Sequence, residues 1–185
     1  MKNNMQLISR NIDLDAHGAR FKEFNVSPFF YTLEKIPWDI FMTFHYKGRD
    51  FNRDDEWAEK NRRSIIFRLI NDSRKTLSLS KHDLQFFGTT EKKWGRCHTH
   101  TLIHIKRKAG KNQDLVRNTI QAHIPWDIVT IPEKSTRENA NQIVNDPIAV
   151  SAYISKFNGN EIDAAPIHFS RDFVNFVSNY NEMSA

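Results

Sequence analysis

The run Gly95-Arg96-Cys97-His98-Thr99-His100-Thr101-Leu102-Ile103-His104-Ile105 constrains this chain more than any other stretch. From Thr99 to Ile105 it is mostly β-branched or aliphatic, which favours a strand over a helix. Strand side chains alternate faces and rise about 3.3 Å per residue, so His98 and His100 point the same way with backbones roughly 6.6 Å apart. Two imidazoles at that spacing can converge on one metal ion. His104 shares their face but lies about 13 Å further along by the same arithmetic, too far to share that ion easily. The pair therefore reads either as two metal ligands or as histidines incidental to a strand.

A chain of 185 residues suits one domain with a real core. Its composition, 39% hydrophobic and 26% charged, fits a soluble globular protein. No apolar run approaches the roughly 18 residues of a membrane span, and residues 1–10 do not resemble a signal peptide, so no membrane partner is expected. The single cysteine, Cys97, excludes an intramolecular disulfide and a cysteine-cluster zinc site, and it points to a reducing compartment. The net charge of +5 permits a polyanionic partner without requiring one.

Residues 1–35 read as an N-terminal arm or an extension of the domain, with residues 1–24 irregular or a short helix. Residues 36–185 show no linker, repeat or low-complexity tract and read as a single domain. Trp38 to Tyr46 is expected as a strand ended by the Lys47-Gly48 turn. A helix capped by Asp54 or Asp55 should run to about Asn71, burying Trp57, Ile65, Ile66, Leu69 and Ile70 and turning Lys60, Arg62, Arg63 and Arg68 outward. Leu84 to Glu91 is expected as the partner of the histidine strand across a tight turn at Lys92 to Arg96. A second helix should run from Asn112 or Asp114 to about His123, with Leu115, Val116, Thr119 and Ile120 buried. Trp126 to Ile131 then reads as a fourth strand, followed by polar loop to Val144. Asp146 as N-cap, Pro147 at the first helical position and Gly159 past the end bracket a third helix whose stripe is Val150, Ile154 and Phe157. Tyr153 falls about 60° from the centre of that stripe and Lys156 follows about one turn on. Arg171 to Tyr180 reads as a covering helix. The order predicts an α+β domain: a central antiparallel sheet of about four or five strands with the His-x-His strand in its middle and helices on its faces.

Three pieces occur in order: a strand with Phe41-Met42-Thr43-Phe44, a strand with His98 and His100, and a helix with Tyr153 and Lys156. This set resembles the HUH endonuclease superfamily, specifically the single-tyrosine initiators (Rep nicking domains) of rolling-circle replication, over roughly residues 36 to 160, with the motifs within 38–157. The resemblance implies a nicking and joining enzyme for single-stranded DNA at an origin hairpin or nick site, on a plasmid or virus. It implies Tyr153 as nucleophile, a 5′-phosphotyrosine intermediate, and Lys156 as a cation favouring the phenolate or holding the phosphate. A divalent ion, Mn2+ or Mg2+, is implied on His98 and His100. Relatives draw a third, often acidic, ligand from the neighbouring strand, where Glu91 is the only carboxylate near the end and lies beside the pair if the turn is centred near Lys93 and Trp94. The sequence departs from the family in placing Thr99, not a bulky apolar residue, between the histidines. It also has Phe157 rather than a second tyrosine after Lys156, as in single-tyrosine enzymes. The usual helicase extension does not follow in this chain, which reads either as a short protein or as the nicking domain alone, and the resemblance implies a host helicase as a partner. The expected location is cytoplasmic and nucleoid-associated for a bacterial or archaeal source, or the host nucleus for a eukaryotic virus.

For DNA contact the densest basic group is Lys92, Lys93 and Arg96 in the turn with Lys106, Arg107, Lys108 and Lys111 beyond, and Trp94 among them is able to stack on a base. The same residues also suit a merely solubilising turn. Three further readings stand beside the initiator: a relaxase or single-tyrosine transposase of the same superfamily, a zinc hydrolase using His98, His100 and His104, and a non-catalytic single-stranded nucleic-acid-binding module. Strand geometry opposes the hydrolase, since histidines four residues apart converge on a helix.

Overall fold

The computed structural model describes residues 7–8, 12–13, 20–21, 24–25, 33–106, 110–131, 141–154, 167–170 and 173–177. Its centre is an antiparallel sheet built on β5 (Ile40–Tyr46), β6 (Leu84–Lys93) and β7 (Arg96–Ile105). The short strand β10 (Ile167–Phe169) extends the β6 edge, while β8 (Val129–Thr130) and β9 (Asn141–Ile143) both pair with β5. The strand order is β10-β6-β7-β5-β8, so the His-x-His strand lies in the middle, as expected for this α+β fold. Four two-residue strands in the arm, β1 (Leu7–Ile8), β2 (Ile12–Asp13), β3 (Arg20–Phe21) and β4 (Phe24–Asn25), pair as β1 with β4 and β2 with β3, where an irregular segment or short helix was expected.

Alternation along the three long strands sends one set of side chains to each face. Met42, Phe44, Phe86, Ile103 and Ile105 meet helix α1 (Glu56–Thr76) and helix α2 (Gln113–Ala122), and are joined in one core by Ile66, Leu69, Ile70, Val116 and Ile120. Phe41, Phe87 and Leu102 face the other way and pack with Leu33, Ile36, Trp38, Val150 and Ile154. Val150 and Ile154 belong to helix α3 (Pro147–Ile154), so this helix lies on the histidine face. Among the described residues no helix is long and apolar enough to cross a membrane.

Several expectations need correction. Helix α1 is capped by Asp55, which accepts from the Ala58 amide, and it continues five residues beyond Asn71. Arg62 does not face solvent: it is 3% exposed and donates to the carbonyls of Phe51 and Arg53, tying down the turn that precedes the helix. Trp57 is 52% exposed beside Phe51 rather than buried. The aromatic rings of Tyr46 and Phe51 already cover that end of the core, leaving the indole outside. In α2 Leu115 is exposed and Thr119 half-buried, while Val116 and Ile120 alone are fully buried. The expected strand at Trp126–Ile131 shrinks to β8, because residues 126–128 form the turn that follows Pro125 and close it through Ile128 and Val129 amides onto the Pro125 carbonyl. Strands β9 and β10 lie where loop or no element was expected. The third helix is capped by Asp146 as expected, and its part beyond Ile154, including Lys156 and Phe157, lies outside the described residues. A helical turn over 173–177 falls in the expected covering helix.

Candidate metal centre

The β6–β7 hairpin determines which side chains meet. Its two central residues, Trp94 and Gly95, have φ of +51° and +74°, the paired left-handed geometry of a two-residue hairpin turn. The turn therefore lies one residue later than a centre at Lys93-Trp94, and Lys93 pairs with Arg96. From there the register runs Glu91 opposite His98 and Thr89 opposite His100. Opposed residues share a face, so Glu91, His98 and His100 emerge together.

Glu91 Oε2 lies 3.4 Å from His98 Nε2 and 3.6 Å from His100 Nε2. One ligand atom from each of the three residues lies within 4.8 Å of the others. The separations are longer than a direct N–H···O bond of about 2.7–3.2 Å. They match ligand atoms surrounding an ion: two donors about 2.1 Å from a tetrahedral centre lie roughly 3.4 Å apart. Two imidazoles and a carboxylate suit a divalent ion of the first transition row, and also Mn2+ or Mg2+ when water completes the shell. The donor set thus fits the expected group.

Behind the ligands, Thr43 on β5 sits opposite His100, with Thr43 Oγ1 2.9 Å from His100 Nδ1. When His100 Nδ1 donates its proton to this hydroxyl, Nε2 carries the lone pair toward Glu91, the tautomer a ligand needs. The other histidine of the strand goes elsewhere. His104 Nδ1 lies 3.0 Å from the Pro37 carbonyl and 3.2 Å from Asp39 Oδ2, and its ring stacks on Phe176. Burial alone would raise the Asp39 carboxyl, yet hydrogen bonds from His104, Gln113 and the Ile105 amide hold it below the usual carboxylate range. This geometry removes His104 from a shared three-histidine site.

Helix α3 brings Tyr153 to the same place. With Val150 and Ile154 buried on the sheet, and Thr89 Oγ1 donating to the Ile154 carbonyl across 3.3 Å, the helix end is pinned beside His100. The half-buried Tyr153 ring stands edge-on to His100 with centroids 5.0 Å apart, and edge-on to Phe41 at 5.8 Å. The apolar stripe predicts this placement, since a residue 60° off the stripe reaches the rim of the buried patch.

The basic residues divide. Trp94, 90% exposed, and Arg96 lie at the hairpin tip next to the end of the sheet that carries Glu91 and His98, and Lys92 pairs with Asp54. Lys106 lies at the opposite end of β7, roughly 30 Å away by strand rise, and bonds through its amide to the Asp83 carbonyl. Arg107 and Lys108, and the side chain of Lys93, lie outside the described residues. Lys106 is therefore separated from Arg96 by the length of β7.

Two histidines escaped the sequence reading. His45 is opposite His98 across the β5–β7 ladder, half-buried, with ring centroids 5.5 Å apart. Strand alternation with Thr43 carries the signal, but only once the pairing of β5 with β7 is known. On the reverse face, His168 of β10 is fully buried and ends a chain of contacts: Tyr46 OH to Thr99 Oγ1 at 2.8 Å, Thr99 Oγ1 to Thr90 Oγ1 at 2.7 Å, and Thr90 Oγ1 to His168 Nε2 at 2.9 Å. Burial, with Arg63 and Arg62 nearby, pushes the His168 imidazole down to about 4. Thr99 thus serves this buried chain, which accounts for a hydroxyl between His98 and His100. Comparison with protein-family models, with curated proteins and with solved structures gives no match.

Proposed function

We propose that this chain nicks and rejoins single-stranded DNA by metal-assisted transesterification through Tyr153, in the manner of the HUH replication initiators that its motifs resemble. The observation that carries the reading is the meeting, on one sheet face, of the Glu91–His98–His100 donor set with the Tyr153 ring 5.0 Å from His100. Residues separated by more than 50 positions in sequence converge there from β6, β7 and α3.

In this reading Glu91, His98 and His100 hold Mn2+ or Mg2+, which when bound supplies Lewis-acid stabilisation of the scissile phosphate and departing oxygen. Thr43 holds His100 in its ligand tautomer. The Tyr153 hydroxyl loses its proton and attacks phosphorus; the bond from phosphorus to the 3′ oxygen breaks, and that oxygen takes up a proton to become a 3′-hydroxyl. A tyrosine titrates ordinarily near 10, so Lys156, three residues on, is assigned to favour the phenolate or to hold the phosphate. The 5′-phosphotyrosine conserves the phosphodiester energy, so attack by a 3′-hydroxyl rejoins strands. Trp94 and Arg96 at the hairpin tip supply base stacking and phosphate contacts near Glu91, His98 and His100, Lys106 serves DNA further along, and Lys93 and Arg107 are assigned to the same DNA on the basis of sequence. The substrate is a single-stranded origin or nick site, and a host helicase supplies unwinding.

The test incubates the protein with Mn2+ and a randomised single-stranded DNA pool and resolves the products on a denaturing gel. A slower protein band that disappears with chelator and in Tyr153→Phe is expected. Salt-dependent binding without any adduct would replace the enzyme by a single-stranded nucleic-acid-binding module.

A further inference from the structure

We infer that His45 is a fourth protein ligand of the metal centre, which makes the site a three-imidazole, one-carboxylate set suited to late divalent ions such as Zn2+ and Co2+. The inference rests on the metal reading of Glu91, His98 and His100 and adds to it a residue that the motifs do not mark.

Three observations carry it. First, the β5–β7 register places His45 directly opposite His98, so both side chains leave the sheet on the ligand face. Opposed residues in an antiparallel pair have Cβ atoms about 4.5–5.5 Å apart, close enough for both imidazoles to reach one ion. Second, the ring spacing fits. Two imidazoles bound through nitrogen to one tetrahedral ion, with bonds near 2.0–2.1 Å, hold their ring centres about 5 Å apart. The His98–His100 rings stand 4.8 Å apart and the His45–His98 rings 5.5 Å, on either side of that value. Third, the neighbours differ in kind from those of the remaining strand histidine. His104 lies on Pro37 and Asp39 at the far end of the same strand, whereas His45 lies at the end of β5 beside His98. His45 nitrogen is not within the tight group formed by the other three residues, so its entry takes a rotation of the half-buried side chain toward the ion.

The chemical consequence is selectivity. Three neutral imidazoles and one carboxylate favour ions late in the first transition row, and four protein ligands complete a tetrahedron. Mn2+ and Mg2+ prefer oxygen-rich, six-coordinate shells that retain water, so they draw little from a third imidazole. Late ions are then held by four protein ligands, and Mn2+ by the three of the motif.

The experiment titrates Co2+ into the chelator-stripped, dialysed full chain and records the visible absorption, followed by displacement with Zn2+. Wild type is expected to give the intense bands of four-coordinate Co2+. His45→Phe, which keeps a ring in the same space, is expected to give the weak bands of a higher coordination number and to lose at least about tenfold in Zn2+ affinity, the loss that even an outer-shell partner brings. Mn2+ affinity, read by electron paramagnetic resonance, is expected to change far less. Circular dichroism and melting in chelator check that His45→Phe folds, and His45→Gln provides a second variant should it not. An unchanged Co2+ spectrum and Zn2+ affinity in a folded variant would overturn the inference while leaving the three-ligand centre intact. Four-coordinate Co2+ lost with His45, in a protein that forms no Tyr153–DNA adduct, would support the inference and overturn the nicking reading. Failure of the wild-type chain to bind either ion would overturn both.

Discussion

His168 should make the stability of this fold depend on pH in a defined window. The side chain, on β10 opposite Gly88 of β6, is fully buried with Nε2 on Thr90 Oγ1. Burial and the adjacent Arg63 and Arg62 disfavour the imidazolium and lower its pKa from 6.5 to about 4. In the unfolded chain the same imidazole titrates near its ordinary value. Between these two values the unfolded chain takes up a proton that the folded chain refuses. The contribution to stability is therefore complete above about 6.5 and is lost as pH falls toward about 4. Two and a half pH units at 1.36 kcal/mol each come to about 3 kcal/mol, a large share of a typical domain stability of 5–15 kcal/mol. The assay is urea unfolding of wild type and His168→Asn across that window; asparagine keeps a partner for Thr90 but has no charge to gain. Carboxylates such as Asp39 titrate in both proteins, so the difference between the two curves isolates the histidine. Wild type is expected to lose about 3 kcal/mol more than the variant on acidification. Parallel curves would refute the reasoning, because they would mean the imidazole is protonated in the fold at its ordinary pKa.

Thr43→Val removes the acceptor that holds His100 Nδ1 and is expected to weaken metal binding by about 10- to 100-fold, read by Co2+ or Mn2+ titration, with Thr43→Ser restoring most of it. Unchanged affinity in a folded Thr43→Val protein would show that the hydroxyl does not orient the ligand. Trp94 holds a left-handed backbone at the hairpin tip with its indole almost fully exposed, a placement that core packing does not explain. Trp94→Ala is expected to cost about 1–3 kcal/mol of single-stranded DNA affinity in a shift assay, with thermal stability unchanged or raised; undiminished binding would remove the indole from the DNA surface.

How much was legible from sequence follows from the length and regularity of each element. Strand β7 was legible because its run of β-branched and aliphatic residues favours a strand, while Glu91 was singled out through the family resemblance, which looks for a carboxylate on the neighbouring strand. Asp146 and Pro147 marked the start of α3 because a side-chain cap and a proline at the first helical position leave a local signature. The hairpin centre was missed by one residue, since the φ > 0 requirement extends to Trp94, a residue type that rarely signals such a turn. Strands β9 and β10 are three residues long, too short to show a period, and each is defined by its pairing with β5 or β6. Arg62 looked like one more solvent-facing cation because its partners are backbone carbonyls of Phe51 and Arg53, which no side-chain pattern reveals. His45 and His168 owe their surroundings to strand register across distant segments. The same reason explains why Lys106 seemed near Arg96 in a list of basic residues, while an extended strand holds the two apart.

The most direct test of the central claim is to identify the residue to which DNA becomes attached. The protein is incubated with Mn2+ and single-stranded DNA, digested with nuclease and protease, and its peptides are analysed by mass spectrometry. The account expects a nucleotide phosphate on the peptide that contains Tyr153, absent in chelator and absent in His98→Ala. A linked peptide carrying any other residue would contradict the assignment of the nucleophile, and the absence of any linked peptide would contradict the nicking mechanism itself.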